Sequence, residues 1–316
     1  MPNPNPDHPP TILTDRAAPP VSIIMSNYNV DGYLAEAVDS MLGQTFGDFE
    51  FIVIDDGSTD GSIEIMRDYA RRDKRIVFKA RENKGLPATL NEAARMARSE
   101  YLARMDPDDI SLPTRLAKQF AFMNAHPDVA NVGSRVILID PYGVTIKPTN
   151  HPLTHEEIDR DLLLGIGWAI VHPVAFIRKS ALERCGWYNE SYRTSQDMEC
   201  WLRMAEIGRL ANIEEPLLKY RQHLASANFA KAEQQKKFKV QILTAAYARR
   251  GLPAFDASIL EAPPTTSPFE SRSRWGWAAI KAGNMKAARA HAFANLKQRP
   301  TSLRMWKLLA CSVRGR

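Results

Sequence analysis

Cysteine is scarce. Cys185, Cys200 and Cys311 are three in 316 residues, and no two have CxxC spacing. A disulfide framework and a cysteine-built zinc cluster are therefore excluded, and a reducing cytoplasm is the expected compartment. Long hydrophobic runs are also missing. The longest uncharged, largely apolar stretch, Leu162–Ile177, falls short of the roughly 20 residues a spanning helix needs and has His172-Pro173 inside it. It reads better as a buried strand with a loop. The first residues have neither the basic start nor the apolar core of a signal peptide, so Pro-rich residues 1–19 are expected to be a flexible leader. Acidic residues are absent from 272–316, which hold eleven Lys or Arg, leaving 31 basic and 36 acidic side chains, a balance of −5, in 1–271. This asymmetry points to an anionic partner for the tail, membrane lipid or nucleic acid, with a solvated helical surface as the competing account. The tail shows no nucleic-acid-reading motif, so no nucleic acid is expected. Wholesale disorder is excluded by a hydrophobic fraction of 44% and a charged fraction of 25%.

What is present is a βα rhythm. VSIIMS (21–26), FIVID (51–55), RIVFKA (75–80) and EYLARM (100–105) are short apolar runs that read as strands. Between them lie amphipathic segments: Tyr33 to Leu42, a stretch ending near Arg72, and Pro87 to Arg98. Pro113 opens a further helix. Such alternation implies an α/β fold with a mostly parallel sheet flanked by helices, whose ligands sit beyond the carboxyl ends of the strands. Three strand ends carry polar clusters: Asn27-Tyr28-Asn29, Asp55-Asp56-Gly57 and Asp106-Pro107-Asp108-Asp109. They are expected to converge on one crevice.

From about 129 the rhythm loosens. NVGSRVILID (131–140) and AIVHPVAFIR (169–178) read as strands, Gln196–Ile207 as a helix, and 214–228 as a strand with a polar loop. Residues 230–250 read as one helix, 252–268 as a Pro-rich linker, and 275–297 with 301–313 as a helical hairpin. The expected division is therefore leader 1–19, sheet domain 20–228, and basic helical region 229–316.

Two carboxylates at i and i+2 on a strand end can share a divalent cation. Asp106 and Asp108 fit Mg²⁺ or Mn²⁺, which take oxygen ligands and leave room for substrate phosphate. A solvated acidic turn is the competing account for that tripeptide alone.

The order of VSIIMSNYN, FIVIDDGSTDGS, NKGLPATLNEA and YLARMDPDDISLPTRL, continued by HPVAFIRKSAL, GWYNESYRTSQDMECWLRM and YRQHLASAN, resembles the inverting glycosyltransferase family 2 with its GT-A fold, over about residues 20–228. The resemblance implies that Tyr28 stacks on the nucleotide base, with Ser26 and Asn29 beside it, and that Asp56 bonds the base, with Asp55 just before it. It implies that Asp106-x-Asp108 is the DXD motif, Asp108 holding the metal and Asp106 the ribose or the metal's water. Asp197, in the position of the family's ED pair, is the implied catalytic base. His223, in a YRxHxxS segment, is the implied metal or diphosphate contact. Lys84 and Arg81 could meet phosphate. His172, Trp168 and Glu199 are weaker acceptor-side candidates, with Trp187 and Tyr188 as further aromatic ones; Trp201 reads as core. Gln196 stands where the family usually has Glu, which removes a like charge and is expected to lower the pKa of Asp197.

These implications describe a metal-dependent enzyme that moves a sugar from a nucleotide donor to a hydroxyl of a glycan or lipid-linked acceptor in surface polysaccharide synthesis. A UDP-sugar is favoured, with dTDP and GDP open. The basic tail would hold it at an anionic membrane surface, the inner face of the cell membrane. The alternative is a non-catalytic nucleotide- or glycan-binding module with a partner-docking tail.

Overall fold

The computed structural model describes residues 17–224, 232–260 and 267–314. Nearly all of the expected leader, and Ala225 and Ser226 of the YRxHxxS segment, lie outside the described residues.

Four strands run in parallel at one end of a nine-stranded sheet: β1 (Val21–Asn27), β2 (Phe49–Asp55), β3 (Ile76–Ala80) and β4 (Tyr101–Met105). The other half holds β5 (Ile110–Ser111), β6 (Val129–Ile139), β7 (Thr145–Pro148), β8 (Phe176–Arg178) and β9 (Arg209–Arg221). The order is β3-β2-β1-β4-β8-β6-β9-β5, with β7 paired to β6 off this path. β8 joins the halves by pairing antiparallel to both β4 and β6.

Every residue of β1 and β2 is buried, because helices cover both faces of the sheet. The side-chain period of two sorts these residues. Ile23, Met25, Phe51 and Val53 face α1 (Asp31–Leu42), α2 (Ser62–Arg72) and α4 (Arg115–Ala125). Ile24, Ile52, Ile54 and Leu102 face α3 (Leu86–Met96), α5 (His155–Leu163), α7 (Gln196–Met204) and α8 (Ala232–Arg249). The short α6 (Lys179–Arg184) follows β8. A capping box starts α5: the Thr154 side chain accepts from the Glu157 N–H, and the Glu157 side chain accepts from the N–H of Thr154.

Three expectations are corrected. AIVHPVAFIR is not one strand. Residues 172–174 form a 3-10 turn and only Phe176–Arg178 is β. Pro173 cannot donate to a ladder, and the apolar run is buried as a crevice floor instead. The helix after 228 is expected to go with the C-terminal region, yet Ile242, Leu243 and Ala246 of α8 are buried in the same core as α3, α5 and α7. The hairpin is three helices: α9 (Pro268–Lys281), α10 (Met285–Leu296) and α11 (Leu303–Arg314). Gly283 (φ +73) takes the left-handed turn that separates the first two, and Ser267 and Asn284 cap α9 and α10.

This three-helix unit has a small core of its own, with Phe269, Ala292, Leu296, Met305 and Leu308. It is tied to the sheet at the β6–β7 turn. His291 Nε2 lies 2.7 Å from Asp140 Oδ2, both side chains buried, and Val144 packs on Ala279, Ala287 and Ala288. Trp275 Nε1 donates to Gln222 Oε1 at 3.4 Å, one residue before His223.

Candidate active site

The carboxyl ends of β1, β2 and β4 open onto one crevice of about 530 Å³, closed on the far side by the 167–174 segment, the start of α7, the end of β9, and α8. Ser26, Tyr28, Asp56, Asp106, Asp108, Trp168, His172 and Asp197 all line it. Tyr28 is half exposed, a ring free to meet a planar ligand.

Asp56 is held firmly. Its carboxylate accepts from the Lys84 N–H (2.9 Å) and the Gly85 N–H (2.9 Å), and pairs with the Arg81 guanidinium. Arg81 is spent on Asp56 and Glu92, so it is a brace for the loop. Lys84 contributes its main chain here, while its side chain lines a separate hollow with Lys79, Glu92 and Glu190. Asp55 is fully buried and turned into its own loop: it accepts from the N–H groups of Gly57 and Ser58 and from Asn27 Nδ2. Asn29 has φ 51 and accepts from the Thr59 N–H, fixing the same loop. Neither Asp55, Asn29 nor the Lys84 side chain lines the crevice.

The acidic loop after β4 gathers charge. One ligand oxygen each from Asp106, Asp108 and Asp109 lies within 4.8 Å of the others. Asp106 pairs with buried Arg104, and Asp108 Oδ2 lies 2.8 Å from His223 Nε2. Asp109 accepts from the Arg221 N–H at 2.7 Å through Oδ1, while its Oδ2 is buried without a hydrogen-bond partner among the described residues. Burial pushes Asp106 up from the usual carboxylate range and Asp109 well above it, neighbouring carboxylates adding to both. A divalent ion would relieve both effects. Three carboxylates and an imidazole are a hard, mostly oxygen donor set suited to Mg²⁺ or Mn²⁺.

Arg221 organises this loop and was not singled out from sequence. It donates to the Asp108 carbonyl (2.7 Å), the Pro141 carbonyl (3.2 Å) and Glu36 (2.5 Å), and stacks over Tyr33 at 4.7 Å. It therefore carries the ends of β4, β6 and β9 and α1 together. Its place within YRQH was the available signal.

Opposite the loop, Asp197 stands at the second position of α7, where main-chain N–H groups favour a carboxylate. Ser195, before it, has φ 62, a left-handed geometry uncommon outside glycine that turns the chain sharply into the helix. Burial nonetheless raises the Asp197 pKa, outweighing the Met198 N–H and the attraction of Arg104 and Lys239. The drop expected from Gln196 is thus overridden by burial. Lys239 and Gln235 of α8 line the crevice beside it. The Lys239 ammonium donates to the Gly165 carbonyl at 3.0 Å. No motif marked either residue, because α8 follows the last recognisable segment.

The remaining candidates separate. Trp168 is 39% exposed and meets the ring of Tyr220 edge-on at 5.1 Å, a surface able to stack a sugar. His172 is buried, 3.1 Å from Tyr188 Oη, and packs against Trp201. Burial holds its pKa well below the usual value, so it is a neutral part of the crevice floor. Tyr188 and Trp201 are core. Glu199 is turned away: Arg203 binds it at 2.7 and 2.5 Å, and it lines a different hollow with Trp187. At position 199, two residues after Asp197, a helix side chain points nearly to the opposite side.

Replacing Lys239 with Met should move the acid limb of the kcat/KM pH profile to higher pH. The base works ionised, so activity falls as pH drops through its pKa, and the lysine's positive charge holds that pKa down. An unchanged limb would show that Lys239 does not act on Asp197.

The fold of this mixed sheet and its flanking helices is shared with solved glycosyltransferases. The first 349 residues of TarS from S. aureus superpose with a TM-score of 0.58 at 15% identity, covering 94% of this chain and 92% of that one. The mannosyltransferase PcManGT from Pyrobaculum calidifontis, solved with GDP-Man and Mn²⁺, gives 0.53 at 20%, covering 94% and 80%. The fold is GT-A. Residues 22–186 match the family described as Glycosyl transferase family 2. Over 214 residues the chain is 35% identical to the putative glycosyltransferase EpsE of Bacillus subtilis, covering 65% of this chain and 74% of that protein. Over 211 residues it is 33% identical to the O-antigen biosynthesis glycosyltransferase WbnJ of Escherichia coli, covering 64% and 80%. The chain belongs to glycosyltransferase family 2.

Proposed function

We propose that the protein transfers a sugar from a nucleoside-diphosphate donor, a UDP-sugar by preference, to a hydroxyl of a glycan or lipid-linked acceptor in surface polysaccharide synthesis, with inversion. The carrying observation is that Asp197 faces the acidic loop across one crevice floored by His172 and edged by Tyr28 and Trp168. Tyr28 stacks the base and Asp56, locked by Arg81 and two main-chain N–H groups, reads its edge. Asp106, Asp108 and His223 are the residues that would hold Mn²⁺ or Mg²⁺, and a bound ion would offset the charge growing on the leaving diphosphate. Asp197 takes the proton of the acceptor hydroxyl, a poor nucleophile at neutral pH. On the acceptor side Trp168 offers an aromatic face to the incoming sugar. Residues 20–228 with α8 would form the catalytic unit. Segment 272–316 would hold the enzyme against an anionic membrane surface at the cytoplasmic face; among the described residues no helix is long and apolar enough to cross the membrane.

The test is a thermal-shift panel of UDP, dTDP, GDP and CMP, each with and without Mn²⁺. At about 100 times its dissociation constant the cognate nucleotide should add about 2.7 kcal/mol of stability, more of it with the metal present. The result that overturns the reading is a flat panel across all four nucleotides with Mn²⁺.

A further inference from the structure

The three-helix unit carries a surface that the crevice does not use. α11 buries Met305, Leu308 and Ser312 against α9 and α10. Its other side is apolar as well. Leu303, Trp306, Ala310 and Val313 are exposed at spacings of three, four and three residues, one continuous helical stripe. Leu303 is 84% exposed and Val313 70%, and Phe293 of α10 is a further exposed ring. Lys307 and Arg314 run along one margin of the stripe, with Arg304 beyond them. Residues 267–314 hold ten Lys or Arg against a single acid, Glu270.

We infer that α11 is an interfacial helix, lying in the headgroup layer of an anionic bilayer with Leu303, Trp306 and Val313 inserted and Lys307, Arg314 and Arg304 at the phosphates. This deepens the membrane attachment proposed above and is independent of the transfer chemistry. Two observations choose a bilayer. The positive surface is complementary to anionic lipid and repels a second copy of itself. The Trp306 Nε1–H donates to the Pro300 carbonyl at 2.7 Å, so the indole's polar edge is satisfied inside the protein and its ring enters an apolar layer without leaving a bare donor. The unit is fastened to the catalytic sheet through the buried His291–Asp140 pair and through Trp275–Gln222, beside His223. Attachment through α11 therefore sets the height and tilt of the crevice over the surface, where a lipid-linked acceptor would present its sugar.

The experiment is sedimentation of the full chain with vesicles of phosphatidylcholine alone or mixed with phosphatidylglycerol. Wild-type protein should bind the mixed vesicles and leave the neutral ones. Leu303→Ser/Trp306→Ser should weaken binding about tenfold or more even at low salt, because it removes apolar area and no charge. Arg304→Gln/Lys307→Gln/Arg314→Gln should weaken it as well. All substituted side chains are exposed, and an unchanged melting temperature confirms folding. Failure of wild type to bind, equal binding to neutral vesicles, or undiminished binding by the serine double variant each overturns the inference. The nucleotide panel is read separately, so vesicle binding without a nucleotide shift would sink the transfer reading alone.

Discussion

Asp197→Asn should lower turnover by about 10²–10⁴-fold and leave donor affinity unchanged. The substitution keeps shape, and an amide at the start of α7 still accepts the main-chain N–H that orients the side chain. What it loses is basicity. Four carboxylates line the crevice: Asp56, Asp106, Asp108 and Asp197. Asp56 is held by Arg81 and two N–H groups, Asp106 is paired with Arg104, and Asp108 faces His223. Asp197 alone has no hydrogen bond or ion pair to another side chain among the described residues, so it is the group left to accept a proton. For the same reason no second free carboxylate among the described residues offers itself as a nucleophile, which supports a single displacement and hence inversion. Donor affinity and turnover must be measured on the same preparation. Turnover within a few-fold of wild type would remove Asp197 from the base role, and the binding-module alternative would then explain the crevice better.

How far the sequence reached follows from how each element is buried. β1 and β2 were legible because strands covered on both faces become unbroken apolar runs ending at polar turns. The same property misled at 169–178. There an equally apolar run floors the crevice in 3-10 turns, and hydrophobicity without period cannot tell the two apart. The reverse holds for β9, where exposed Arg209 and polar Asn212 break up a short apolar stretch, so that only the part from 214 on read as strand. At the site, Asp197, Asp106, Asp108, Tyr28 and His223 were nominated by motif order. The parallel strands β1 and β4 deliver Tyr28, Asp106 and Asp108 to one edge, and α7 and the end of β9 bring Asp197 and His223 to it. Residues whose role is to hold others were less visible. Arg221 serves four partners through contacts far apart in sequence, and Asp55 differs from its neighbour Asp56 only in which way the chain turns. Lys239 had no local signal, since its position depends on α8 folding back over the sheet.

Asp108→Ala should abolish the extra nucleotide stabilisation that Mn²⁺ provides and reduce turnover by about 10³-fold, near the upper end of what loss of one charge-stabilising group costs. The loop carries strain by itself. Three carboxylates are crowded within 4.8 Å, burial and mutual repulsion raise two of them, and one oxygen of Asp109 is buried without a hydrogen-bond partner among the described residues. An arrangement that unfavourable needs a compensating positive charge, and Arg104 and Arg221 supply it only in part: Arg221 reaches Asp109 through its main-chain N–H, while its guanidinium is spent on carbonyls and Glu36. Removing Asp108 therefore has two opposite effects. It relieves repulsion, so the melting temperature of the protein without nucleotide should hold or rise. It also takes away the carboxylate nearest His223, so the metal-dependent part of nucleotide binding should disappear. A simple folding defect would instead lower the melting temperature and weaken nucleotide binding with and without Mn²⁺ alike. A variant that keeps the full Mn²⁺ increment would show that the acidic loop is not the metal site and that its crowding has another cause.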